Sequence, residues 1–194
     1  MYLGRVMRIV MAMGAALIAA SAIAATPASA APSPTPAATS SASTNSTDRP
    51  SLLSRQARSD AELRDQIALQ MKIAPGGKQT SLNEVSYDNG KFVVTYALPG
   101  QQLALGVADC PSGWFCFYEN INFGYPRGKL SDCGQQYLGD YGWNNRVSSV
   151  DNSTTTPINY QDISHFYLFT NYNPGAKPSL GDANDKAAFV YRYC

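Results

Sequence analysis

The chain is 194 residues long, with 15 basic residues, 14 acidic residues and one histidine. That length leaves room for one sizeable domain once an export leader is set aside. The near-balance of charge excludes nucleic acid and a polybasic membrane contact, since both need an excess of lysine and arginine, and loss of Arg5 and Arg8 with the leader leaves the acidic residues one ahead.

Residues 1–30 read as a secretory signal peptide. Arg5 and Arg8 make a positive start, Ile9 to Ala25 is an apolar run, and Ala28-Ser29-Ala30 fits the small-x-small cleavage rule. The mature chain is expected to begin at Ala31. No other stretch could span a bilayer, so the protein is expected to be secreted and extracellular, and its four cysteines to meet an oxidising compartment. Residues 31–51 alternate Pro, Ala, Ser and Thr without a large apolar side chain; such a segment cannot bury enough surface to offset chain entropy and is expected to be a disordered linker. Asn45-Ser46-Thr47 and Asn152-Ser153-Thr154 fit the glycosylation acceptor pattern, but the Ala- and Pro-rich leader points to bacterial export and gives them little weight.

Residues 52–106 read as a helix and a hairpin, either an extension of the later domain or a pro-segment that is removed. The spacing predicts a helix over 59–73. Ser59 and Glu62 make a capping box, Leu63, Ile67 and Met71 form one apolar stripe, and Pro75-Gly76-Gly77 stops it. The stripe suits docking on the chain's own domain better than a partner. Leu82 to Tyr87 and Lys91 to Ala97 are strand-like, with Asn89-Gly90 between them as a turn. A lone hairpin is marginal in water, so it must pack on the later domain or be discarded.

Residues 107–194 read as all-β, with nine of the chain's twelve tyrosines and short aromatic runs separated by Gly, Asn, Asp and Pro. The expected strands are Trp114 to Glu119, Arg127 to Leu130, Arg146 to Val150, His165 to Phe169 and Ala187 to Tyr193. The aromatics suit core and corner packing better than a carbohydrate-stacking platform. His165 is the only histidine, no nucleophile is marked for it, and the cysteines are too scattered for a zinc site. The reading is of a protein that is not an enzyme and requires no cofactor.

Two motifs carry a family resemblance. Tyr118-Glu119 followed by Phe123, then Asn144-Asn145-Arg146-Val147-Ser148-Ser149, resembles a βγ-crystallin Greek-key unit. Cys110-Pro-Ser-Gly-Trp-Phe-Cys116-Phe-Tyr118 resembles the start of secreted actinobacterial peptidase inhibitors built on that fold. The resemblance implies a mainly β, βγ-crystallin-like Greek-key β-sandwich over 107–194, preceded by the short helix and hairpin. A weaker second copy runs through Tyr167, Phe169, Tyr172 and Gly175 to Asn184-Asp185-Lys186-Ala187-Ala188, where alanine replaces both serines. Gly124 sits one position earlier than the pattern has it, which puts the local shape of the first hairpin in question.

The resemblance also implies calcium, a cation that takes six to eight hard oxygens. The candidates are Asn145, the carbonyl of Arg146, and Ser148. Amides in place of carboxylates, and the charge of Arg146, imply weak binding, about 10⁻⁴ to 10⁻³ M. The second copy, without its hydroxyls, is not expected to bind. Four cysteines allow three pairings. The Pro111-Ser112-Gly113 turn favours Cys110 with Cys116, the resemblance points to the same short loop, and this leaves Cys133 with Cys194.

The expected function is that of a secreted peptidase inhibitor of the metallopeptidase type, a monomer with an extracellular peptidase as partner. No second short disulfide loop can form, because Cys133 and Cys194 are far apart in sequence, and no reactive bond is legible. The alternative is a non-inhibitory extracellular βγ-crystallin module, calcium-binding or antimicrobial.

Overall fold

The computed structural model of the chain describes residues 52–194. The expected leader, the linker and the Asn45 acceptor lie outside the described residues.

The chain enters through helix α1 (Asp60–Ile73) and strands β1 (Lys78–Gln79), β2 (Glu84–Tyr87) and β3 (Phe92–Thr95). Eight further strands follow: β4 (Phe115–Asn120), β5 (Gly124–Leu130), β6 (Gly134–Tyr137), β7 (Ser149–Asn152), β8 (Ile158–Gln161), β9 (Tyr167–Asn171), β10 (Gly175–Lys177) and β11 (Phe189–Arg192). One sheet has the order β1-β2-β3-β5-β4-β7-β10 and the other β6-β11-β8-β9, with every pairing antiparallel.

That order is two Greek keys that exchange their third strands. The units β4–β7 and β8–β11 have matching connections. In each, strands one, two and four share a sheet while strand three crosses to the other: β6 pairs with β11, and β10 with β7. Neither unit closes its sheet without the other, so both inner faces are buried together. This is the βγ-crystallin-like sandwich.

The expected helix begins one residue late, with Ser59 as its N-cap; its hydroxyl accepts from the Glu62 N–H at 3.3 Å. The capping box is only half made. The Glu62 carboxylate accepts from the N–H of Arg58 at 2.7 Å, and takes the guanidinium groups of Arg55 and Arg58 as well. Leu63 and Ile67 of the stripe are buried, Met71 only partly. Two fully buried glutamines, Gln66 and Gln70, share the inner face. The Asn89-Gly90 turn forms with Asp88, Asn89 and Gly90 all at positive φ, where glycine and Asn or Asp are tolerated.

Strand β3 pairs with β5 from Phe92↔Leu130 to Thr95↔Arg127, so the hairpin continues the first sheet. Leu53, Leu63, Ile67, Phe92 and Tyr96 belong to the same buried cluster as Phe117, Trp143, Ile158 and Val190. The seam also carries polar bonds. Gln70 donates to Tyr87 Oη at 3.0 Å and to the carbonyl of Tyr141 at 2.8 Å, and accepts from Tyr96 Oη at 3.0 Å.

Four strands escaped the sequence: β1, β6, β8 and β10. They are short and carry Gln, Asn and Gly in place of an aromatic run. His165, read as a strand residue, lies in the turn between β8 and β9 with φ of 62°. Asn144 to Ser148 form a loop, and the strand starts only at Ser149.

Candidate functional site

The first unit is organised by Tyr118 and Ser149. Tyr118, fully buried, meets Phe123 edge-on at 5.4 Å between centroids. Asn122 and Phe123 both take positive φ, so the β4–β5 hairpin folds back. Ser149 pins it: its hydroxyl accepts from the N–H of Phe123 at 3.0 Å and donates to the carbonyl of Asn120 at 2.7 Å. The displaced glycine of the motif is explained by closure of that hairpin. A Cβ on Gly124 would lie 2.8 Å from the Cβ of Asn120.

A strap runs from Gln101 to Cys110. At one end Gln56 donates to the carbonyl of Gln101 at 3.0 Å. At the other, Asp109 is the hub. Its carboxylate accepts from Tyr118 Oη at 2.8 Å and from Tyr125 Oη, and pairs with Arg127 at 3.0 Å; Arg127 also donates to its carbonyl at 2.7 Å. Burial works against the Asp109 charge, but the bonds from the two tyrosines and the charge of Arg127 outweigh it, and its pKa lies below the ordinary value. Burial raises both Tyr118 and Tyr125. Between these anchors the strap turns sharply: Val107 donates to the carbonyl of Ala104 at 3.1 Å, with Gly106 at φ of 85°. The Gly106 N–H ties the turn to the first hairpin through the Asn122 carbonyl at 2.9 Å. The turn holds Leu105, 70% exposed, and Val107, 63% exposed, beside a hairpin that exposes Ile121. Beneath the strap lies a cavity of about 140 Å³ bounded by Leu103, Val107, Asp109, Phe123 and Tyr125.

Both disulfides form. Cys110 joins Cys116 with Cα atoms 5.6 Å apart, and Cys133 joins Cys194 at 5.9 Å. The short bridge holds the strap's end onto β4; the long bridge ties the start of β6 to the last residue.

The proposed calcium residues lie where the two units meet. The loops Asn144–Ser148 and Asn184–Ala188 face each other about a pseudo-twofold axis: Asn145 N–H bonds the Ala187 carbonyl at 2.9 Å and Asp185 N–H bonds the Val147 carbonyl at 3.0 Å. Asn145 and Asp185 are both left-handed, at 56° and 55°. The hydroxyl of Ser148 meets Asp185 Oδ1 of the opposite loop at 3.2 Å. Asp185, which the sequence reading had left in the failed second copy, thus brings a carboxylate to the serine of the first. The register of that copy also shifts. Tyr118 faces Ser149 in the first unit as Gln161 faces Phe189 in the second, so Ala188 and Phe189 replace the two serines. Tyr167 and Phe169 lie on the next strand, Tyr172 in the turn after it and Gly175 at the start of β10, and they do not echo Tyr118 and Phe123.

The side chain of Arg146 does not face the loops as a bare charge. It is buried against Glu119 at 2.6 Å, donates to the Gly142 carbonyl at 2.7 Å and lies over the Trp143 ring at 4.7 Å. Its charge is offset from beneath. Hard oxygens are therefore present at Ser148 and Asp185, and the Oδ1 of Asn144 is buried without a hydrogen-bond partner among the described residues. This donor chemistry suits a calcium ion with one carboxylate. Groups of three or more His, Cys, Asp and Glu able to hold a metal are absent among the described residues.

Residues 104–167, about a third of the chain, match the model of peptidase inhibitor family I36. The match begins in the strap and spans the whole first unit, so the suspected family is the one found. Among curated proteins, none matches the chain. The chain is similar in structure to a βγ-crystallin domain from Clostridium beijerinckii (24% identity, TM-score 0.36, covering 41% of this chain and 97% of that one). It is likewise similar to the βγ-crystallin from Ciona intestinalis (23%, 0.37, 42% and 100%). A clostrillin double mutant, solved in complex with nickel, is comparable (24%, 0.36, 42% and 98%). The fold assignment rests on the exchanged third strands, not on these likenesses.

Proposed function

We propose that the protein is a secreted inhibitor of a metallopeptidase that acts by docking, not by catalysis, and that the turn Ala104–Val107 is its leading contact. The family match over 104–167 carries this reading. The geometry supports it. Leu105 and Val107 are apolar and exposed on a segment held at both ends, so little chain entropy is lost on binding. The Asp109 hub and the Cys110–Cys116 bridge supply the rigidity that a second short disulfide would have given. Enzyme titration with the secreted protein tests this: thermolysin-like metallopeptidases are inhibited stoichiometrically and serine peptidases are not. Full activity of every metallopeptidase at excess protein refutes it.

Calcium is a second component of the proposal, favoured by the contact between Ser148 and Asp185. The site is weak, with a dissociation constant of about 10⁻⁴ to 10⁻³ M. Calorimetry is expected to show heat of binding that Ser148→Ala and Asp185→Asn each abolish. No heat at millimolar calcium, or unaffected variants, contradicts it.

A further inference from the structure

The two sheets present opposite outer faces. On the first sheet one row across the strands reads Glu84, Thr95, Arg127, Tyr118, Ser149, and the next includes Lys129, Cys116 and Asp151. This face is charged, and the end of the strap with Trp114 covers its middle: Ala108, Cys110 and Trp114 pack on Cys116 and Tyr118.

On the second sheet the corresponding rows read Tyr137, Phe189, Gln161, Tyr167 and Gln135, Tyr191, Asn159, Thr170. None of the eight is charged. The inner positions between them, Val190, Ile158 and Tyr160, are fully buried, so these rows are the outward ones. Tyr167 is 62% exposed, Tyr191 38%, and Tyr193, which follows the second row, 47%. The rings are fixed in place. Phe189 lies between Tyr137 at 4.8 Å and His165 at 4.1 Å, and Tyr191 meets Tyr193 edge-on at 4.8 Å. The polar groups are linked too. Asn159 donates to Tyr193 Oη at 2.8 Å and accepts from Thr170 Oγ1 at 2.7 Å, which contacts Tyr167 Oη at 3.0 Å.

A folded protein rarely exposes held rings in a row on a charge-free face without a ligand to cover them. The chemistry narrows that ligand. Ring faces offer apolar stacking with a polar tip. Amides and hydroxyls offer paired donors and acceptors, and no ionised group is there to be desolvated. An uncharged polyol chain, with apolar C–H faces and hydroxyl edges, complements every one of these features. We infer that the outer face of the second sheet, centred on Tyr191, Asn159 and Tyr167, binds a neutral polysaccharide. The inference is independent of the inhibitory reading, since the face lies on the other sheet from the strap.

The test is retention of the full secreted protein on microcrystalline cellulose and on chitin, with cellohexaose and chitohexaose as soluble competitors. Retention on at least one matrix is expected, equal at low and high salt because no charge takes part, and displaced by the matching oligosaccharide. The double change Tyr167→Ala and Tyr191→Ala, at exposed positions that leave the melting temperature in place, weakens it about tenfold or more. Leu105→Asp does not weaken it. No retention on either matrix, retention lost at high salt, or retention untouched by the double change overturns the inference. So does a dimer that the double change dissociates, which would assign the face to a second copy. Loss of peptidase inhibition in the double variant would assign it to the peptidase, and binding only after removal of residues 31–51 would assign it to that segment.

Discussion

Glu119 and Arg146 were legible in the sequence as motif residues, Arg146 also as a candidate calcium ligand through its carbonyl, but not as the buried ion pair they form, with side chains 1% and 4% exposed. Removing one partner of such a pair leaves a charge in low dielectric, which costs about 3–5 kcal/mol. Arg146→Ala is therefore expected to lower stability to urea by that amount, and a double replacement by apolar residues of similar size much less. Equal losses in the two variants would show that the lost contacts, and not the stranded charge, set the cost. The serines show why single residues mislead. Ser148 and Ser149 are adjacent in sequence, but one meets Asp185 across the pseudo-twofold axis and the other pins the hairpin. The first contact comes from a loop about forty residues away, and nothing in local spacing announces it.

At the scale of elements, the helix, the hairpin and the aromatic strands were legible because their periodicity is strong. Strands β1, β6, β8 and β10 were not, because their partners and not their own side chains make them strands. The strap has no signature of its own in the sequence, since its anchor depends on Tyr118, Tyr125 and Arg127 converging on Asp109. Its pKa, held below the ordinary value, means that the carboxylate stabilises the fold above its unfolded pKa. That contribution is lost as pH falls through the folded value. Glu62, held at about 2 by Arg58 and Arg55, acts with the same sign. Asp151, raised by burial, acts with the opposite one. Amides of the strap are expected to lose exchange protection below about pH 4, before those of the sheets, and Asp109→Asn to abolish that pH dependence. Protection unchanged down to pH 2 would contradict the role of Asp109. The disulfides also divide by element. In the chain-entropy model the bridge closing 61 residues contributes about 4 kcal/mol and the bridge closing six about 2 kcal/mol. Cys194→Ser is expected to lower the melting temperature more than the paired change at Cys110 and Cys116, and the reverse order would refute that ranking.

Over the whole molecule, the fold class was legible because the first motif resembles a Greek-key unit, which demands a partner sheet, although the second copy was placed on the wrong aromatics. The exchange of third strands follows from that demand. The incorporation of the helix and hairpin was left open by the sequence; β3 on β5 and Gln70 at the seam make them part of one buried cluster. The proposed inhibitory contact was the least legible feature, since an exposed turn has no sequence pattern of its own and stands out only once its anchors are placed. The direct test is the inhibition constant of the protein against one susceptible thermolysin-like peptidase, measured beside Leu105→Asp and the Tyr167→Ala, Tyr191→Ala double variant. The account predicts tight inhibition by the parent and the double variant, and a loss of at least about a hundredfold for Leu105→Asp, the scale of an interface hot spot. Equal inhibition by the parent and Leu105→Asp would contradict it.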